Sequence, residues 1–119
     1  GVRRVLFRSG KSTSQANQLL EDAVILEEAG AGMLLMEAIP AILAKKITKK
    51  LIIPTIGIGA GVDCDAQVLV LYDILGIYSG KKLKFIKNFM DGAGSINEAV
   101  ENYVKEVKSK EFPKSEHGF

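Results

Sequence analysis

The sequence is poor in the residues and runs on which several kinds of protein depend. Its single cysteine, Cys64, excludes an internal disulfide, and its single histidine, His117, gives little support to a nucleophile–histidine pair. No apolar run approaches the ~20 residues that cross a bilayer. The formal net charge of +2 is too small to predict nucleic-acid binding. We therefore expect no nucleic-acid partner and no membrane, and without a secretory signal the expected compartment is the reducing cytoplasm.

Two apolar runs with unusual ends are the most informative feature. One ends on a carboxylate, Glu37, and the next ends in three alternating glycines, Gly57, Gly59 and Gly61. Residues 41–50 between them have helical spacing. A buried strand that ends in polar or glycine residues, followed by a helix and by another such strand, is the order of elements in a β/α barrel. The catalytic groups of such barrels lie at the carboxyl ends of the strands. A closed barrel needs about 250 residues, so 119 residues predict an α/β fold with an incomplete barrel.

The remaining pattern predicts about three parallel strands with their helices. Hydroxyl caps at residues 12–14 open a first helix, and Ser95 caps a strong final helix. Strands are expected at residues 33–36, 51–58 and 68–71, because short apolar runs bounded by turns are typical of buried parallel strands. A short helix is expected at residues 85–90, and an extended polar tail after Phe112.

Glu37 is the sharpest candidate for chemistry. A carboxylate at the end of a buried strand lies where a barrel enzyme holds a general base. The alternative from the pattern alone is a glutamate that caps the next helix or pairs with a lysine. Both interpretations stay open at this point.

The glycines fail the tests for a nucleotide loop, since the dinucleotide fingerprint needs glycine at position 62, which is Val62. The backbone N–H groups near Gly57 and Gly59 could meet an anionic substrate, or the glycines could simply make room. Asp63 and Asp65 are expected to form turns rather than to bind metal.

Residues 1–9 look foreign to the rest of the chain. They carry three arginines and a very short apolar patch. We interpret them as a non-native leader, with residues 10–119 as the barrel part. The alternative is a genuine first strand at residues 5–7.

From residue 10 to residue 119 the chain resembles ketopantoate hydroxymethyltransferases in one register. The stretches that carry the resemblance include Met36-Glu37-Ala38-Ile39-Pro40, Ile53-Pro54-Thr55-Ile56-Gly57-Ile58-Gly59-Ala60-Gly61 and the ending Glu116-His117-Gly118-Phe119. The resemblance implies the C-terminal half of a (β/α)8 barrel. It also implies transfer of a one-carbon unit from 5,10-methylenetetrahydrofolate to 2-oxoisovalerate with Mg²⁺, in pantothenate biosynthesis, with Glu37 as proton acceptor.

The resemblance has limits that bear on function. It implies that the magnesium ligands belong to the barrel half that is missing here, so no metal site is expected in this chain, and the chain alone is expected to be an inactive fragment. Tyr72 stands where the family usually has histidine. The family forms large homo-oligomers, which the full-length protein is expected to do. The alternatives are a C–C bond lyase or mutase of the phosphoenolpyruvate-mutase or isocitrate-lyase type, and a half-barrel that only self-associates.

Overall fold

The structure is a computed structural model that describes residues 4–8 as a backbone strand and residues 12–119 in full. Its elements, in chain order, are β1 (Arg4–Arg8), α1 (Thr13–Glu28), β2 (Met33–Glu37), α2 (Ala41–Lys50), β3 (Thr55–Ile58), β4 (Ala66–Gln67), α3 (Leu71–Ile74), α4 (Ile96–Lys108) and a 3₁₀ turn (Ser115–His117). Among these helices, none combines the length and the apolar character that crossing a bilayer requires.

The described strands form one parallel, open sheet in the order β1-β2-β3-β4. Glu37 pairs with Arg8 on one side and with Ile58 on the other, so three strands end at the same level. The expected α/β class with parallel strands is therefore confirmed.

Both long N-terminal helices follow from local sequence signals. Ser12 begins α1 with a capping box, in which its Oγ accepts from the Gln15 backbone N–H at 3.2 Å and Gln15 Oε1 accepts from the Ser12 N–H at 3.5 Å. Lys49 and Lys50 lie in the last turn of α2, where positive charge favours the helix dipole.

The two helices cover one face of the sheet. Their buried side chains pack with Leu34 and Met36 of β2 into a first core cluster. A second cluster gathers the later part of the chain, namely Leu69, Ile74, Phe85, Ile86, Phe89, Ala99 and Phe112. Ile58 of β3 packs against this second cluster, so the sheet meets both.

Three sequence expectations about the later chain are wrong. Residues 68–71 are not a strand: β4 ends at Gln67, and Leu71 already begins α3. The alternation that suggested a strand is real, since Leu69 is buried between exposed Val68 and Val70, but no described strand pairs with it.

Residues 85–90 form turns rather than a helix, because the Phe89 N–H donates to Ile74 O at 2.8 Å instead of to its own segment. The tail is not extended either. It turns at Ser115–His117, and both Phe112 and His117 are buried.

Residues 4–8, which we interpreted as part of a non-native leader, form a strand, and their non-native origin stays a prediction. β1 pairs with β2 in parallel along its whole length, as the alternative interpretation of residues 5–7 predicted. Residues 1–3 and 9–11 lie outside the described residues, and the boundary at residue 10 stays a prediction.

The connection between β3 and β4 is unusually short for parallel strands. Only residues 59–65 join them, whereas a parallel crossover commonly takes a dozen or more residues and a helix. Residues 59–65 form turns and bends, with no helix among them. The brevity of this connection determines how the glycine-rich segment packs.

Candidate functional site

Glu37 lies at the carboxyl end of β2, on the face of the sheet that α1 and α2 leave open and that the second core cluster meets at Ile58. Leu34 and Met36 are fully buried against the helices, whereas Leu35 and Glu37 are only partly buried. Because successive side chains of a strand point to opposite faces, Leu35 and Glu37 share the other face. Glu37 is therefore the last side chain of β2 on the open face.

The next strand continues this face. Leu35 pairs with Ile56 and Glu37 pairs with Ile58, and partners in register point to the same side. Ile56 and Ile58 are partly buried, whereas Thr55 and Gly57 between them are buried. A carboxylate thus ends an apolar surface made of isoleucine and leucine.

A tight turn follows Glu37 at once. Ala38 has φ 54°, in the left-handed region, and its N–H donates to Ile58 O at 3.0 Å. This region disfavours a residue with a Cβ by about 1–2 kcal/mol. Ile39 is fully buried, and Pro40 precedes α2 with φ −53°. The backbone of the three residues after Glu37 is therefore fixed by a hydrogen bond, a buried side chain and a proline. The sequence analysis did not detect this feature.

Gly57 lies on the helix-covered face and packs against the short β3–β4 connection. A Cβ built there would lie 2.7 Å from Cys64 Sγ, and the Gly57 carbonyl already accepts from the Val68 N–H at 3.0 Å. This geometry supports the steric interpretation of Gly57. Its role in substrate binding stays a prediction.

Gly59 follows Ile58 directly at the carboxyl edge of the sheet, which we call the rim. It has φ 65°, and a Cβ there would lie 2.9 Å from Phe85 Cβ. Since Glu37 pairs with Ile58, Ala38 and Gly59 occupy equivalent places after their strands, and both are left-handed. Gly59 thus lies at the same edge of the sheet as Glu37, while its predicted contact with substrate is untested.

Cys64 carries no sign of a reactive thiol. Burial raises the pKa of its thiol to about 11; the charges of Asp65 and Asp63 also raise this pKa, whereas a hydrogen bond from Thr48 opposes them. At neutral pH the group is a protonated packing residue.

Asp65 works as a structural acceptor at the opposite end of β3. Its Oδ2 accepts from the Thr55 N–H at 2.8 Å and lies 3.3 Å from Thr55 Oγ1, and Thr55 is fully buried. Among residues 12–119, no group of three or more His, Cys, Asp or Glu side chains is placed to hold a metal ion. The residues described here therefore do not fit a magnesium site.

His117 lies on the 3₁₀ turn, and Tyr72 lies on α3. His117 packs on Phe112 with ring centroids 5.1 Å apart, and its Nδ1 accepts from the Lys114 N–H at 3.0 Å. Burial lowers the pKa of His117 below its usual 6.5, against an opposing effect of Glu116. Tyr72 lies in the first turn of α3 and is exposed.

A cleft of about 500 Å³ opens beside the rim, between the start of α2, the loop after β3 and the C-terminal tail. Its lining includes Pro40, Gly61, Asp63, Lys84 and Lys114, and does not include Glu37.

Comparison with known proteins decides the family. The family model described as ketopantoate hydroxymethyltransferase matches residues 5–115. This chain belongs to that family.

Members of the ketopantoate hydroxymethyltransferase family match the chain at high identity. The 3-methyl-2-oxobutanoate hydroxymethyltransferase of Nitrosospira multiformis is 69% identical over 92% of this chain and 42% of its own length. The enzyme of that name from Nitrosomonas eutropha is 62% identical over 92% of this chain and 41% of its own length. The one from Neisseria meningitidis serogroup A is 56% identical over the whole chain and 44% of its own length. The chain thus spans less than half the length of these curated relatives.

Proposed function

We propose that this chain is the C-terminal part of a (β/α)8 barrel whose complete form transfers a hydroxymethyl group to 2-oxoisovalerate, giving ketopantoate. The open parallel sheet, with α1 and α2 covering one face, is what a segment of such a barrel would show. In the closed barrel, the face that carries Leu35, Glu37 and Ile58 would line the interior. We further propose that the complete protein works in the cytoplasm as a homo-oligomer.

The observation that carries the proposal is the position of Glu37. It is the last open-face residue of β2, at the edge where barrel enzymes hold their catalytic groups. A carboxylate here can accept the proton on C3 of the 2-oxo acid, and the electron pair of that C–H bond then forms the new C–C bond. When bound, 5,10-methylenetetrahydrofolate would supply the one-carbon unit, with its carbon–nitrogen bonds broken to release tetrahydrofolate and with water as the source of the hydroxyl group. Leu35, on the same face of β2 as Glu37, would give the alkyl part of the substrate an apolar contact.

In this proposal the described residues supply the catalytic base but no ligands for a metal ion. The magnesium ion that the family resemblance implies would be held by the rest of the complete protein, since no suitable cluster exists in residues 12–119. The 119-residue chain alone should therefore form no product. A purified chain that forms product with added magnesium and folate would contradict this division of roles.

The test of Glu37 uses a complete enzyme that carries these residues. Glu37→Gln keeps the size and polarity of the side chain but removes the proton acceptor, so exchange of the C3 hydrogen of 2-oxoisovalerate with solvent deuterium should be lost. Binding of the 2-oxo acid, measured by calorimetry, should stay within a few-fold. Glu28→Gln, at an exposed position on α1, is the matched control. Exchange in Glu37→Gln within about tenfold of the parent would show that Glu37 is not the base.

A further inference from the structure

Ala38 stands out because it has a backbone conformation that alanine rarely adopts, next to the proposed base. Only two non-glycine residues in the described part of the chain have positive φ, Ala38 and Lys110. Lys110 follows the end of α4, where the Lys110 and Glu111 N–H groups bond back to Val107 and Glu106. That arrangement is an ordinary helix-ending motif. Ala38 ends a strand and has no such explanation.

The neighbouring strand β3 shows which residue normally occupies a left-handed position of this kind. Gly59 occupies the equivalent place after β3, with φ 65°, and glycine adopts this conformation freely. At Gly59 a side chain would collide with Phe85, so glycine is required there by space. The turn after Glu37 keeps a Cβ in spite of its conformational cost.

The surroundings of Ala38 hold it in place from both sides. Its N–H extends the β2–β3 ladder one bond past Glu37, through Ile58 O at 3.0 Å. Met36 and Ile39, which flank the Glu37–Ala38 pair, are both fully buried. Non-glycine residues persist in such conformations only where the structure around them determines the backbone, and these positions concentrate at functional sites.

The geometry points to Ala38 as a positioning residue for Glu37, an inference that rests on the proposed function. The left-handed well of a residue with a Cβ is narrow, whereas glycine has a wide range of φ and ψ. Alanine at position 38 thus limits rotation of the peptide that follows Glu37 and so limits where its carboxylate can lie. A displacement near 1 Å from productive geometry can cost about a hundredfold in rate.

The test compares three variants in a complete enzyme that carries these residues. Ala38→Gly preserves the turn and frees the backbone. It should lower the maximal rate of C3 hydrogen exchange about tenfold, which is less than the loss that a displacement near 1 Å causes. The KM for the 2-oxo acid should stay within about twofold of the parent value. Ala38→Asn keeps a Cβ in a residue that tolerates the left-handed region, so its rate should lie within about threefold of the parent. Lys110→Gly makes the same change just after the end of α4 and should leave the rate unchanged.

Two results would overturn the inference. One is a parental exchange rate in Ala38→Gly, and the other is an equal loss in Ala38→Asn, which would indicate intolerance of any change at this position. The result with Glu37→Gln separates the two proposals. If that variant loses exchange while Ala38→Gly does not, only the positioning role fails; if it retains exchange, the base assignment itself fails.

Discussion

Replacing Gly59 with alanine tests why a glycine stands at the end of β3. The new Cβ would lie 2.9 Å from Phe85 Cβ and 3.0 Å from two of its ring atoms. Phe85 is 7% exposed and belongs to the second core cluster, so it has little room to move. Overpacking of this kind costs about 1–3 kcal/mol. The left-handed backbone adds about 1–2 kcal/mol, and the reduced entropy of the unfolded chain returns about 0.4–1 kcal/mol. We expect the free energy of unfolding to fall by about 2–4 kcal/mol.

Gly92→Ala provides the matched control, because Gly92 has φ 78° and no heavy atom within 4 Å of its built Cβ. This variant should lose about 1 kcal/mol or less, from the backbone conformation alone. A difference of about 2 kcal/mol between the variants corresponds to about 30-fold in the unfolding equilibrium constant. Urea denaturation followed by far-UV circular dichroism measures it. Equal losses, within about 0.5 kcal/mol, would refute the contact with Phe85 and favour a ligand-binding role for the Gly59 backbone.

Glu27 Oε2 accepts from the backbone N–H groups of Ile52 and Ile53 at 2.6 and 2.9 Å, so Glu27→Ala should lower the free energy of unfolding by about 1–2 kcal/mol. Exposed Glu28→Ala should change it by less than about 0.5 kcal/mol, and equal urea midpoints for the two would contradict this role. Because the folded pKa of His117 lies below 6.5, its contribution to stability is complete above pH 6.5 and is lost as the pH falls below 6.5 and through the lower folded pKa. The urea midpoint should therefore drop in mild acid, and His117→Asn, which cannot titrate, should remove that part of the drop. The 119-residue chain should self-associate through its open sheet and the exposed Val68 and Val70; a monodisperse 12.9 kDa monomer that binds no hydrophobic dye would contradict this.

The features that the sequence predicted well are those determined by neighbouring residues. Capping hydroxyls and helical spacing located α1, α2 and α4, because their hydrogen bonds close within a few residues. The position of Glu37 at a strand end also followed from local pattern, since the apolar run before it stops there.

Features that depend on distant partners were harder to predict. Residues 68–71 alternate like a strand, yet whether they join the sheet depends on a pairing partner that local sequence does not reveal. The buried turns at residues 85–90 depend on a bond to Ile74. The left-handed turn at Ala38 gave no signal at all, because alanine is not a residue that marks such turns.

The short β3–β4 connection has a consequence for the order in which the protein is made. With no crossover helix to cover it, this part of the sheet borders the end of α4 and Phe112, around a cavity of about 320 Å³. Ile58 likewise packs against a cluster that Phe112 completes. At ~5–20 residues per second, a ribosome needs roughly three to ten seconds to travel from Ile58 to Phe112. During that interval this part of the sheet lacks its final cover, so its apolar surface stays exposed until Phe112 has been added.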